Sequence, residues 1–218
     1  YGSRTIYDGL DLMIRRRERC CIMGVNGAGK STLLKLVTGT TEPDSGTVTV
    51  GSNVKIGYFA QHAMDLLDGD RTVFEMLEYT FPQANQGALR SLAGGFGFSG
   101  DEVEKSCRVL SGGEKVRSYL AKMMLSKANV LIMDDPTNHL DLESITSLND
   151  ALIDFKGSLI FTSHDHQFIQ TIADHIIEVG PLGVVDRADT SYDEFTQHET
   201  AQAQVADIYP ADKKNSKA

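Results

Sequence analysis

Residues 24–31 read Gly24-Val25-Asn26-Gly27-Ala28-Gly29-Lys30-Ser31, and this stretch constrains the fold more than any other. It follows an apolar run, Arg19-Cys20-Cys21-Ile22-Met23, that predicts a buried strand. It precedes Ser31–Thr38, where Leu33, Leu34, Leu36 and Val37 predict a helix with apolar faces. A strand turning through a glycine loop into a helix commits the chain to an α/β architecture. The same loop directs backbone N–H groups at an anion placed on the helix N-terminus. Lys30 is positioned by this spacing to reach β and γ phosphate oxygens, and the Ser31 hydroxyl to ligate Mg²⁺. Gly24, Asn26, Gly27, Ala28, Gly29, Lys30, Ser31 and Thr32 are therefore the candidate nucleotide-binding residues.

Two further segments belong with this loop. Asn129-Val130-Leu131-Ile132-Met133-Asp134 is an apolar run ending in a carboxylate, the pattern of a central parallel strand. Ligands of α/β sheets sit at that strand end, which makes Asp134 a candidate for the Mg²⁺ shell. Asp135 follows and points elsewhere, because strand side chains alternate. It is the candidate to orient or deprotonate an attacking water. Residues 110–114, Leu-Ser-Gly-Gly-Glu, open a predicted helix from about Gly113 to Ser126 and offer a second N-terminus that attracts anions. One phosphate loop plus a spare phosphate-seeking surface points to two such bodies closing around shared nucleotide.

In this order and spacing the residues resemble the ATP-binding cassette (ABC) superfamily. The resemblance spans about residues 1–197. It implies that Tyr1 stacks on adenine, that Gln61 after the strand Val54–Phe59 senses Mg²⁺ and water, and that Ser111, Gly112 and Gly113 cap the γ-phosphate held by a partner. It also implies that His164, after the strand Ser158–Thr162, is the switch histidine, so that Asp135, His164, Gln61 and Lys30 form the catalytic set. Ser31, Gln61 and Asp134 form the metal set, and ATP and Mg²⁺ are the expected substrate and cofactor. Pro136-Thr137-Asn138-His139-Leu140-Asp141, Ser163-His164-Asp165 and the segment Asp189–Phe195 resemble the ABC-F branch, and within it the second cassette of the bacterial YkpA/YbiT type. That branch implies a cytoplasmic ATPase, a second cassette as partner, and action on ribosomes. A transporter motor, or a slow or non-hydrolysing ATP-dependent switch, are the alternative readings. Most cassettes carry Glu where this chain has Asp135, and the lost methylene retracts the carboxylate by about 1.5 Å.

The expected fold class is α/β: a P-loop NTPase of the ABC type, with a mixed sheet core, an antiparallel β lobe and a helical signature lobe at about 62–127. Ile6–Ile14, Arg19–Met23, Thr47–Val50 and Val54–Phe59 are the strands expected at the N-terminal side. Residues 72–80, 83–92 and 100–106 are expected as short helices. In Leu142–Phe155 the helical spacing of Ile145, Leu148, Leu152 and Phe155 marks core positions. Ile176–Val179 and Val184–Asp186 predict a closing hairpin. Residues 198–218 are expected as a polar, disordered tail.

Composition sets outer bounds. The 218 residues carry a net charge of −9, unevenly: residues 1–127 hold 16 Lys and Arg against 14 Asp and Glu, whereas 128–218 hold 5 against 16. A broad basic face for nucleic acid is not what this pattern predicts. Arg15-Arg16-Arg17 with Arg19 is the basic cluster, read as a solvated turn, with a ribosome contact as the sharper alternative. No apolar run approaches the ~20 residues of a membrane helix. Cys20, Cys21 and Cys107 read as small core residues in a reducing compartment.

Overall fold

The computed structural model describes residues 5–59, 67–138 and 140–210. β1 (Arg19–Met23) feeds through the glycine loop into α1 (Lys30–Val37). β2 (Ile56–Phe59) is followed by α2 (Val73–Thr80), α3 (Gln86–Gly95), short 3-10 turns at Gly100–Glu104 and Cys107–Val109, and α4 (Gly112–Leu125). Then come β3 (Val130–Met133), α5 (Leu142–Asp154), β4 (Ser158–Thr162) and α6 (His166–Ile172). β5 (His175–Gly180), β6 (Gly183–Ala188), α7 (Tyr192–Gln197) and α8 (Glu199–Asp207) complete the order.

The strands form one sheet in the order β2-β3-β4-β1-β5-β6. Ladders among the first five are parallel, and β6 returns antiparallel to β5. Parallel strands carry helices on both faces, so their sequences are apolar throughout. β4 and β5 are accordingly buried at every residue. Alternation then divides the core. Cys21, Leu131, Met133, Leu159 and Phe161 pack with α5 and α6 on one face. Cys20, Ile22, Ile132, Ile160 and Ile177 pack with Leu33 and Leu34 of α1 on the other. The adjacent cysteines are free thiols, and burial pushes both well above the usual thiol range.

The helical lobe has its own apolar centre, including Val73, Leu77, Leu89, Phe98, Val103 and Cys107. Its first helix starts where Thr72 and Glu75 form a reciprocal capping box. α4 joins lobe to base: Ala121 lies in the lobe's centre, whereas Val116, Leu120 and Met123 lie in the base.

Two expectations fail. Ile6–Ile14 and Thr47–Val50 form no strands, so no antiparallel β lobe exists among the described residues. Leu10, Leu12 and Ile14 do turn inward against the base while Asp11 and Met13 are exposed. Alternation selects a buried face but supplies no ladder partner, and Gly9 at φ 64 interrupts the run. Beyond residue 197 the chain is not the expected disordered tail through its described part. α8 buries Ala201, and Ile208 after it is also buried. Residues 211–218 lie outside the described residues.

Candidate functional site

The C-terminal ends of β1, β3 and β4 define the site. The loop after β1 folds by positive φ at Gly24 (135°), Gly27 (77°) and Gly29 (122°), a region that L side chains rarely adopt. Space enforces the first of these as well: a Cβ on Gly24 would lie 2.1 Å from the Val179 carbonyl oxygen of β5. The Tyr7 hydroxyl donates to the Gly29 carbonyl at 2.8 Å and closes the far side. Lys30 Nζ donates to the carbonyls of Gly24 (2.7 Å) and Val25 (3.2 Å). The ammonium therefore bridges the mouth of its own loop, where its partners are neutral carbonyls that a phosphate oxygen outcompetes. Glycines that open the cradle, a lysine across it and a helix N-terminus beneath it form a donor set that fits a polyphosphate.

Asp134 and Asp135 follow directly on β3, and Thr162 at the end of β4 ties both. Its hydroxyl donates to Asp134 Oδ1 at 2.8 Å and accepts the Asp135 backbone N–H at 2.8 Å. Sequence reading gave no role to Thr162; its register beside the Met133–Asp134 step was the only available signal. Asp135 has φ 47, a left-handed conformation that short polar side chains tolerate best. His164 Nε2 stands 3.8 Å from Asp135 Oδ2, an ion-pair distance rather than a hydrogen bond. The His164 side chain is 58% exposed, so it stands in solvent rather than in the core. Turns stitch the loop beyond: Asn138 N donates to the Asp135 carbonyl and Leu140 N to that of Thr137. Tyr1, Gln61 and His139 lie outside the described residues.

The Ser-Gly-Gly segment opens α4 and packs against the head of α5. Ser111 is the cap, with its hydroxyl accepting from Glu114 N and its own N–H donating to the Glu114 carboxylate. Lys105 Nζ pairs with that carboxylate at 2.8 Å and, first among the causes, holds it below the usual range; the Ser111 amide adds to this. Two N–H groups of this terminus are thus already satisfied. The glycines also have a packing reason: a Cβ on Gly112 would lie 2.4 Å from Ser144 Oγ, and one on Gly113 3.0 Å from Ser147 Oγ. Gly113 is buried against α5, whereas Ser111 is exposed and Gly112 half-buried. Asp141 caps α5 beside them, accepting from Ser144 N (2.8 Å) and Ser144 Oγ (2.5 Å). Leu142 and Val109 flank this edge, 80% and 70% exposed.

Comparison with known proteins agrees with this geometry. The family described as "ABC transporter" matches residues 7–138. The Bacillus subtilis (strain 168) protein called "Uncharacterized ABC transporter ATP-binding protein YkpA" is 45% identical over 206 residues, covering 94% of this chain and 38% of that protein. "Probable ATP-binding protein YbiT" of Escherichia coli O157:H7 is 46% identical, over 85% of this chain and 35% of its own length. "Energy-dependent translational throttle protein EttA" of Escherichia coli O6:H1 is 36% identical, over 91% and 36%. The chain thus spans little more than a third of these relatives. Among solved structures, cbiO1 from Clostridium perfringens, part of the ABC transporter complex cbiONQ, superposes with a TM-score of 0.75 at 20% identity, covering 93% of this chain and 88% of that one. Among the described residues no helix is long and apolar enough to cross a membrane. A nucleotide-type loop, a carboxylate pair beside it and a match over most of the chain lead to one conclusion: the chain belongs to the ABC transporter family, as an ATP-binding cassette whose relatives are of the ABC-F type.

Proposed function

We propose that this cassette hydrolyses ATP in a Mg²⁺-dependent way and closes on a second cassette with ATP between them. The observation that carries the reading is placement: Lys30, Asp134, Asp135 and His164 all follow the C-terminal ends of three neighbouring parallel strands, and His164 stands 3.8 Å from Asp135. Gly24, Asn26, Gly27, Ala28 and Gly29 wrap the phosphates, Lys30 and Thr32 hold them, and Tyr1 stacks on the base. Ser31, Asp134 and Gln61 are the residues for Mg²⁺, which supplies charge neutralisation at the phosphates when bound. Asp135 orients the attacking water and accepts its proton, and His164 contacts the γ-phosphate end. Ser111, Gly112 and Gly113 cap the partner's nucleotide, the Ser111 hydroxyl and the two glycine amides being the donors at the head of α4. The exposed Leu142 and Val109 supply apolar rim to that contact. Coupling then arises because ATP binds the closed pair better than the open one.

The likeness to YkpA, YbiT and EttA supports reading the cassette as the second of a cytoplasmic ABC-F protein that acts at the ribosome in translation. EttA's own description as a translational throttle supports that direction. The short Asp135 supports slow turnover, so that the ATP-closed state is long-lived. Lys30→Ala is expected to abolish phosphate release from the two-cassette parent, and ATP-dependent co-sedimentation of the parent with ribosomal subunits is expected. Phosphate release unchanged by Lys30→Ala would refute the assignment of the site. Co-purification with a membrane protein instead of ribosomes would favour a transporter motor.

A further inference from the structure

The end of the described chain reaches the underside of the phosphate loop. Leu182 N donates to the Ile208 carbonyl at 3.0 Å, and Ile208 fills the space beside Gly180 that a Cβ would need, with its carbonyl oxygen 2.6 Å from that position. This docking sets down the next residue, Tyr209, at the end of β5. Its hydroxyl donates to Glu178 Oε1 at 2.5 Å and lies 3.4 Å from the Val179 carbonyl, the group against which Gly24 is packed. The Val25 backbone amide acts on the same hydroxyl, and burial, ahead of Glu178, raises the phenol to about 12. Glu178 is a buried acid, 8% exposed, on a strand that is apolar apart from it and His175. It lies in register with Met23, the residue before the loop; burial raises it, and the Tyr209 hydrogen bond, then the Lys30 ammonium, pull it back. The lysine that would meet the triphosphate thus has a carboxylate within electrostatic reach that the nucleotide chemistry does not use.

We propose that Tyr209 is a positioning residue for the nucleotide site: its hydroxyl holds the Glu178 carboxylate near the end of β5, so that Lys30 stays with the loop carbonyls and remains available to a polyphosphate. A carboxylate released from this bond competes for the ammonium, because an ion pair attracts more strongly than the ion–dipole contacts with carbonyls that Lys30 now makes. The C-terminal segment beyond the sheet is then a determinant of nucleotide affinity rather than a passive cover. The proposal rests on the nucleotide-binding reading above.

The test is the dissociation constant of a ribose-labelled fluorescent ATP analogue with Mg²⁺, measured on this chain and on Tyr209→Phe, Glu178→Gln and the double variant, with thermal melting alongside. Tyr209→Phe is expected to weaken binding about tenfold, the scale of one hydrogen bond to a charged group. Glu178→Gln alone is expected to bind like the parent, and the double variant to return to within about twofold of it. A purely structural role for Tyr209 predicts a lower melting temperature and no rescue by Glu178→Gln, and that result overturns the proposal. So does Tyr209→Phe binding as tightly as the parent. Absence of binding by the parent chain itself would instead strike the nucleotide reading, which keeps the two failures distinct.

Discussion

Asp135 joins a short carboxylate to a left-handed backbone. Glu at this position lengthens the reach toward a water but is less suited to φ 47, since a local hydrogen bond from a short polar side chain is what eases that region. Asp135→Glu is therefore expected to raise ATP turnover while lowering stability by about 1 kcal/mol. Phosphate release and chemical denaturation check the two halves, and unchanged or reduced turnover would count against a reach-limited base. Gly112 poses the complementary case, a residue whose neighbours rather than its φ exclude a side chain. Gly112→Ala is expected to cost about 1–3 kcal/mol through its clash with Ser144 Oγ. Ser144→Ala removes that oxygen and is expected to recover part of the loss, which equilibrium unfolding of the single and double variants would show. Failure of the second change to help would mean the helix crossing is not the limiting contact.

At the level of elements, β5 starts at a polar knot. His175 is fully buried, with Nδ1 3.1 Å from Glu18 Oε2 and Nε2 2.5 Å from Asp186 Oδ1. Burial by itself raises Glu18, but the Arg15 amide and the His175 ring outweigh it, and the carboxyl sits below its ordinary 4.5. A depressed folded value means stability present above 4.5 and lost as pH falls through the folded value. Glu18→Gln is thus expected to lessen the acid-side loss of stability, measured as unfolding free energy against pH; an unchanged acid limb would argue that other carboxylates carry it. The helices and parallel strands were legible from sequence because buried strands in such a sheet are continuous apolar runs, as in Ser158–Thr162, and because caps such as Thr72 and Ser111 are local. Ile6–Ile14 was misread because its alternation records a buried face without naming a neighbour. Thr162 and Tyr209 were not legible, since each acts on a residue distant in the chain that only the sheet brings near. The Ser-Gly-Gly segment was legible as a motif, but the packing demand of Ser144 and Ser147 on its glycines was not.

Over the whole molecule, the base and the lobe have separate apolar centres, and the segment after residue 197 belongs to the base. Truncation after Gln197 removes Ala201 and Ile208 from that base and uncovers Phe195 and Val185. It is expected to cost more than about 2 kcal/mol, read as a drop in unfolding free energy. A truncated chain as stable as the parent would show that the last helix is an ornament. The base and lobe are bridged by α4, which begins at the exposed Ser111 and sinks Val116, Leu120 and Met123 into the cluster that contains Leu131 and Met133. Leu131 and Met133 belong to the strand that delivers the paired aspartates. If a second cassette docks on that serine, as proposed, α4 is the single rod that runs from the contact to the strand in front of the paired aspartates.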